Sequence, residues 1–493
     1  MMLQSAPLFR ERYPINVMVD VFNGSYVPWG DQVVMFGGIP NYTLIGGPAN
    51  SYKTAIALSY LKAMLKNMPP ELGGPDAVKS AVWVHDSELT LEWVRLINSL
   101  SDNKINISKE EGEEDKDVAE RGYDEVMSHP LYTSGRLAFT DKSSASADDW
   151  GKHMQELSDE RAAYKKSNKY LIPTKLPSPN GQHYMLAPTG VLLDSLSDLS
   201  FDAMDDILQK NKVDDAGNQT LDMRSSGIKY RLMGRMQTCA ATGSMAFIAT
   251  AHMAKEIKLS PYDPSSQTLK EAGSLIFKNC PQRTAFQTSL TLVINKVMDA
   301  EKGDKKPLFP TPGGSIVVND KSYHICNMVF ARNKSGKTGY VVPLVTKQGE
   351  GVDWGLSMFY YLLTYNNQYG MTKPEGVTRE SRLELCPDVL LERKNIVTLV
   401  KDPKVYRALE ITTEMYNYKL IDPNGEKTPY PLAKNPAKLK EAIEAKGIDW
   451  NWILENTTYC WSLDNYKGKH VLSYPDLLKM MATDWLPEWY PKD

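Results

Sequence analysis

The chain has 493 residues, 42% of them hydrophobic and 24% charged, with a formal net charge of -3 at pH 7. Such a length admits more than one domain around a well-buried core, and a near-neutral charge excludes a chain that coats nucleic acid by bulk charge, so any such binding must come from local basic segments. No run approaches the ~18 apolar residues needed to cross a bilayer, and the start M-M-L-Q-S-A-P-L-F-R-E-R-Y-P shows no secretory pattern, so a cytoplasmic protein without membrane partners is expected.

The five cysteines, Cys239, Cys280, Cys326, Cys386 and Cys460, are odd in number and form no C-x-x-C pair, the pattern of reduced thiols. Residues 1 to about 40 mix short apolar runs with Pro, Gly and Asn and predict a small lead-in, either a strand pair or an arm that packs elsewhere, with residues 1–30 set apart from the core. The organising stretch is N-Y-T-L-I-G-G-P-A-N-S-Y-K-T-A-I-A-L, from Asn41 to Leu58. An apolar β-prone run, Tyr42 to Ile45, meets the turn cluster Gly46-Gly47-Pro48 and then an Ala-rich helical segment, Thr54 to Met64. A triphosphate needs converging backbone N–H groups, an ammonium for its β/γ charge and a hydroxyl for magnesium, and Gly47, Lys53 and Thr54 stand where those jobs are done. The residues between them, Pro48, Ala49, Asn50, Ser51 and Tyr52, would supply the cradle. The match to G-x-x-x-x-G-K-[ST] is one residue short, because Tyr52 sits at the second glycine position. A plain Gly-Pro turn opening an ordinary helix is the alternative.

Ala81-Val82-Trp83-Val84-His85 is an apolar run of the kind buried on both faces of a parallel sheet, and it ends in Asp86-Ser87-Glu88, on the edge where such sheets bind ligands. Residues 108–124 are strongly charged and predict a solvated helix or surface segment. A strand at 137–140, a helix at 147–165 and a surface loop at 172–181 follow. Gly190 to Leu196 gives another buried strand, ending in Asp194-Ser195, where an aspartate can hold magnesium through water. A long acidic loop, 198–226, precedes a basic amphipathic helix, 229–241, which bears Lys229, Arg231 and Arg235. The strand 246–252 ends in His252, and the segment 253–287 lacks clear periodicity. Strands are expected again at 288–295, 315–331 and 339–346. Early alternation of strand and helix, then strands in succession, describes a twisted, mostly parallel sheet finished by antiparallel strands. The tail, 366–493, predicts a small helical C-terminal domain, with helices at 401–415 and 437–446 and aromatic residues such as Trp450, Trp452 and Trp489 filling its core.

Taken in order, these segments resemble the RecA family of recombinases, and most closely the UvsX-type recombinases of large phages. The loop G-P-A-N-S-Y-K-T carries an aromatic in place of the last glycine, as the phage enzymes do. V-H-D-S-E resembles the strand whose glutamate activates the attacking water, which assigns Glu88, and T-L-E-W-V-R-L-I places Trp93 where an aromatic stacks on adenine. Gly190 to Ser195 resembles the Walker B strand, pairing Asp194 with Thr54 at the metal. F-I-A-T-A-H puts His252 at the γ-phosphate sensor. A-R-N-K-S-G-K-T-G-Y, from Ala331, resembles the hairpin whose two basic residues reach a neighbour's ATP, assigning Arg332 and Lys334.

The resemblance implies an α/β RecA-like P-loop ATPase core over residues 31–365, with ATP and Mg2+ as cofactors and a DNA-dependent ATPase activity. It implies filaments on single-stranded DNA, pairing and strand exchange with double-stranded DNA in recombination and repair, self-assembly into a helical homo-oligomer, and a loader or single-strand-binding protein as helper. DNA contact falls to Lys255, Lys258, Phe277, Lys278 and Arg283. Two departures stand out: Asn279-Cys280-Pro281-Gln282-Arg283-Thr284 lacks the Gly-Gly of the second DNA loop, and residues 300–325 form an added hairpin. A ring-forming DNA motor on the same core, or a nucleotide-binding scaffold without turnover, are the rival functions.

Overall fold

A computed structural model of the chain describes residues 11–491, apart from 24, 30–31, 68–77, 110–113, 168–169, 179–180, 202–220, 257–268, 302–304, 311–320, 366–367, 373–379, 460–464 and 467–468. Its first half holds β1 (Arg12–Tyr13), α1 (Val17–Asn23), β2 (Ser25–Trp29), β3 (Gln32–Phe36), β4 (Ile39–Pro40), β5 (Tyr42–Gly47), α2 (Lys53–Asn67), β6 (Ala81–Asp86), α3 (Trp93–Leu100), α4 (Asp115–Ser128) and β7 (Leu137–Asp141). Then come β8 (Leu171–Ser178), β9 (Gly181–Leu186), β10 (Thr189–Asp194), β11 (Met245–Lys255), β12 (Leu275–Phe277), β13 (Leu290–Asp299), β14 (Tyr323–Asn333), β15 (Val341–Lys347) and β16 (Gly351–Val352).

Ten of these strands form one sheet, in the order β16-β15-β14-β13-β5-β11-β10-β6-β7, with β12 on the extended end of β11. The six from β13 to β7 run parallel, and β14, β15 and β16 turn antiparallel. The strands buried along their whole length, β5 and β10, are apolar runs without alternation, because helices cover both faces of the sheet. One face carries α2, whose approach to β10 is so close that a Cβ on Gly190 would stand 2.4 Å from Leu61. The other carries the helices Ala147–Lys165 and Leu221–Thr242, around fully buried Trp150. The chain is therefore a mixed α/β protein with a large, mostly parallel central sheet flanked by helices.

Register decides what meets at the C-terminal edge of the parallel strands. Gly47 lies beside His252 in the β5–β11 pair, and Asp194 beside Asp86 in the β10–β6 pair. Gly47, Asp194 and Asp86, which close three apolar strands, thus share one end of the parallel sheet with His252, beyond which β11 runs on to Lys255.

Two stretches differ from expectation. Residues 172–178 are not a loop but nearly all of β8, paired antiparallel with β9, and the register slips between Thr174 and Pro177, where prolines cannot donate to the ladder. From residue 11 on, the lead-in is as expected: it holds the strand pair β2–β3, and it packs against the rest of the chain through α1, every residue of which is buried. Asn417, in the helix Pro403–Ile421, donates to Val17 O at 3.3 Å, and the Tyr459 hydroxyl donates to Asp20 Oδ2 at 3.3 Å. One apolar cluster consequently runs from Tyr13 through the sheet to Met480. The tail adds two three-stranded sheets to its helices, built from strands of two to seven residues, too short to leave an alternation signal. Within the charged stretch, α4 begins at Asp115, and its end is fixed by a capping box between Glu114 and Asp117.

Candidate functional site

The loop after β5 is shaped by close approach. A Cβ on Gly47 would fall 2.5 Å from Ser51 Oγ and 3.2 Å from Ile294, so only glycine fits. The Ser51 hydroxyl and the Lys53 ammonium both donate to Pro48 O, at 2.7 and 2.8 Å. Asn50 and Tyr52 have φ of 54° and 62°. Tyr52 therefore adopts, at the second glycine position of the motif, the left-handed conformation that glycine takes freely and a side chain takes at a cost of about 1 kcal/mol. Its ring lies 4.9 Å from that of His324 on β14, its hydroxyl is 2.7 Å from His324 Nδ1, and His324 Nε2 stands 3.3 Å from Asp299. This tether from the antiparallel strands offsets the strain.

Beyond the loop the N-terminal turn of α2 presents its backbone N–H groups to a cavity of about 530 Å3, lined by the loop from Ala49 to Ala55 and by Glu88, Thr90, Arg95, Ser99, His252 and Gln348. Lys53 is buried, and burial lowers its pKa while the carboxylates of Glu88, Asp194 and Asp198 oppose that shift. The Thr54 hydroxyl donates to Asp194 Oδ2 at 2.7 Å, and the Thr250 hydroxyl donates to Asp194 Oδ1. Asp194 is 1% exposed, and burial pushes its carboxyl up to about 6 despite those two bonds. The neighbouring acid has a different task. Buried Asp86 accepts the backbone N–H groups of Glu88, Thr90 and Leu91 at 2.9, 2.7 and 2.7 Å, locking the turn that presents Glu88. Glu88 Oε1 is 2.9 Å from His252 Nε2, and Asp198 Oδ2 is 3.6 Å from the same nitrogen.

A cradle that excludes a Cβ, a helix N-terminus, a buried ammonium, and a hydroxyl paired with a buried acid fit a magnesium-bound phosphate chain. Thr54 and Asp194 would hold the metal; Gly47 through Lys53 would hold the phosphates. The acid gives a testable sign. Its folded pKa lies above the unfolded value, so its contribution to stability is full below about pH 4 and is lost as pH rises through about 6. Without metal, Asp194→Asn should stabilise the protein at pH 7.5 by on the order of 2–3 kcal/mol and flatten its stability between pH 4 and 6. Denaturant titrations across that range check this, and equal midpoints at pH 7.5 would refute it.

Trp93 does not join this cavity. Its ring packs edge-on against Tyr132 and Phe139, at 5.3 and 5.5 Å, and lines a separate apolar cavity with α4. Arg95, two residues on and so on the other side of α3, faces the cavity beside the loop after β5, together with Thr90 and Ser99. Phe277 is buried beneath β5, 3.0 Å from where a Cβ on Gly46 would lie, and offers no face to a base. Lys255, Lys278 and Arg283 are exposed; Lys258 lies outside the described residues, as does most of the acidic loop. Arg332, near the end of β14, and Lys334, just beyond it, lie toward the opposite end of the parallel strands. Arg332 pairs with Thr291 at the start of β13, whereas Val293 is already level with Gly46. The Arg332 guanidinium sits 5.1 Å from the Phe286 ring, and the Lys334 ammonium donates to Gln287 O at 3.1 Å.

Sequence reasoning missed Thr250, Asp198 and Lys229. Lys229 was read as one charge of a basic helix, but it is buried, and its ammonium donates to Ser197 O and Asn279 O, both at 2.9 Å. Ser197 Oγ accepts the His252 N–H at 2.9 Å, and Lys278 N donates to His252 O at 2.9 Å. His252 is thereby joined both to Glu88 and to the segment that bears Lys278.

Fold and site together define an α/β protein with a glycine turn, a lysine and a hydroxyl at the C-terminal edge of its parallel strands. No family model matches the chain, and no curated protein matches it. Among the described residues no helix is long and apolar enough to cross a membrane.

Proposed function

We propose that this chain is a RecA-like, ATP-dependent DNA recombinase that assembles on single-stranded DNA and promotes homologous pairing and strand exchange. The observation that supports this reading is the separation of two sets of groups along the sheet. Lys53, Thr54, Asp194, Glu88 and His252 gather at the C-terminal end of the parallel strands, while Arg332 and Lys334 stand toward the other end, an arrangement that suits those two cations to the phosphates of a neighbouring copy. Repeating such a contact head to tail builds a helix or a ring.

In this mechanism bound magnesium neutralises charge on the phosphates. Lys53 binds and orients the phosphate chain. Glu88 Oε1, held by the turn that Asp86 locks, takes the proton of the attacking water. His252 Nε2 donates to that carboxylate, so release or capture of His252 changes Glu88 and pulls on the backbone of Ser197 and Lys278 together. Exposed Lys255, Lys278 and Arg283 give sequence-independent contact to a nucleic-acid backbone.

The test is ATP hydrolysis with and without single-stranded DNA, beside electron microscopy of the same samples. DNA-stimulated turnover with extended filaments is expected. Closed rings would point to a motor instead, and nucleotide binding without turnover in either condition would overturn the enzyme assignment.

A further inference from the structure

The turn that joins β14 to β15 carries more positive charge than the proposed function uses. Beside it lies a cavity of about 320 Å3, lined by Lys334, Lys337 and, from the tail, Lys427, over a floor that includes Phe22 and Ile421. Among the described residues no carboxylate lines it. Lys334 feels the crowding: burial lowers its pKa, and the Arg332 cation lowers it further.

The turn is held rigidly. Asn333 Oδ1 accepts the N–H groups of Ser335 and Gly336 at 3.0 and 3.1 Å, and Asn333 Nδ2 donates to Phe22 O at 2.7 Å. Gly336 abuts α1 so closely that a Cβ there would lie 2.4 Å from Phe22 O. Arg12, itself buried, donates to Asn23 O at 2.5 Å and to the Ser335 hydroxyl. A turn clamped on two sides has its backbone fixed before any ligand arrives, so only lysine side chains remain to be ordered on binding, Lys334 by leaving its bond to Gln287 O.

We propose that Lys334, Lys337 and Lys427 form a phosphate-binding pocket. Ammonium groups act on phosphate as point charges, and three of them without a carboxylate among the cavity's described lining leave a site whose charge a phosphate group balances. The phosphate belongs either to a nucleotide held by a neighbouring copy or to a nucleic-acid backbone. The first source rests on the proposed function and adds the tail's Lys427 to the cations that act across the subunit contact.

The probe is inorganic tripolyphosphate, titrated calorimetrically into the full chain carrying Lys53→Ala, which silences the loop after β5. Saturable binding is expected, weakened roughly tenfold or more by Lys337→Gln with Lys427→Gln and regained with Lys337→Arg and Lys427→Arg. No saturable binding to the Lys53→Ala chain, or binding untouched by the paired Gln variant, would overturn the pocket. A labelled oligothymidylate, titrated into the same variants, separates the sources: undiminished affinity in the Gln variant assigns the pocket to nucleotide phosphate, and a parallel loss assigns it to the backbone. Absence of ATP turnover in the unmodified chain beside intact tripolyphosphate binding would defeat the recombinase reading and leave the pocket standing.

Discussion

Glu88→Gln should leave nucleotide binding within a few-fold of the unmodified chain and lower DNA-stimulated ATP turnover by roughly 10²–10⁴-fold, the range that loss of a general base produces. The substitution is nearly isosteric, and the turn that presents residue 88 is fixed by Asp86 through backbone N–H groups, which the change does not touch. The amide oxygen can still accept from His252 Nε2, now 2.9 Å from the carboxylate, so the fold around the site should persist. What is lost is the ability to accept a proton from water. Single-turnover hydrolysis with fluorescent-nucleotide binding measured on the same preparation separates the two effects. Undiminished turnover would remove Glu88 from the chemistry.

His252 is the internal control for that experiment. If its bond to Glu88 only caps a strand end, His252→Gln should change little. If His252 links the carboxylate to the segment at Lys278, the variant should hydrolyse ATP with weaker stimulation by DNA. The geometry favours the link, because the His252 backbone is bonded on both sides, to Ser197 and to Lys278, and the same two segments are tied again by Lys229. Comparing turnover with and without DNA decides between them.

What the sequence revealed and what it hid follow from the range of the interactions. The buried parallel strands were legible because each is a local apolar run, and their C-terminal residues Gly47, Asp194 and His252 inherit their common edge from the topology such runs imply. The helix Ala147–Lys165 was legible at both ends, and α2 to within one residue at its start but three residues short at its end. Side-chain direction was not. Trp93 has the right chemistry for a base, but Arg95 holds the face of α3 toward the loop, and a shift of two residues on a helix is more than half a turn. Phe277 looked available in an irregular segment, yet β12 pairs with the overhanging end of β11 and turns that ring into the core. Contacts remote in sequence were invisible. Tyr52 and His324 are 272 positions apart, and the strain at Tyr52 is unintelligible without its partner. Lys427 joins the turn after β14 only through the packing of the tail on α1.

Arg332→Ala should cost turnover on the order of 10³-fold or more if its guanidinium stabilises charge on a neighbour's phosphates, the magnitude seen when a cation supplied in trans is removed. The decisive form of the experiment mixes two inactive chains. Lys53→Ala lacks a working loop but keeps Arg332; Arg332→Ala keeps the loop. Because the two groups lie toward opposite ends of the parallel strands, each contact between copies draws its loop from one chain and its cation from the next. In an equimolar random assembly about a quarter of contacts then combine an intact loop with an intact Arg332, so about a quarter of the unmodified activity should return, provided contacts act independently. A cation acting on its own chain's nucleotide predicts no recovery at any ratio, because neither chain then holds a complete site. The present contacts of Arg332, a ring face at 5.1 Å and a long bond to the Phe286 carbonyl, are weak enough to release it for a stronger anionic partner.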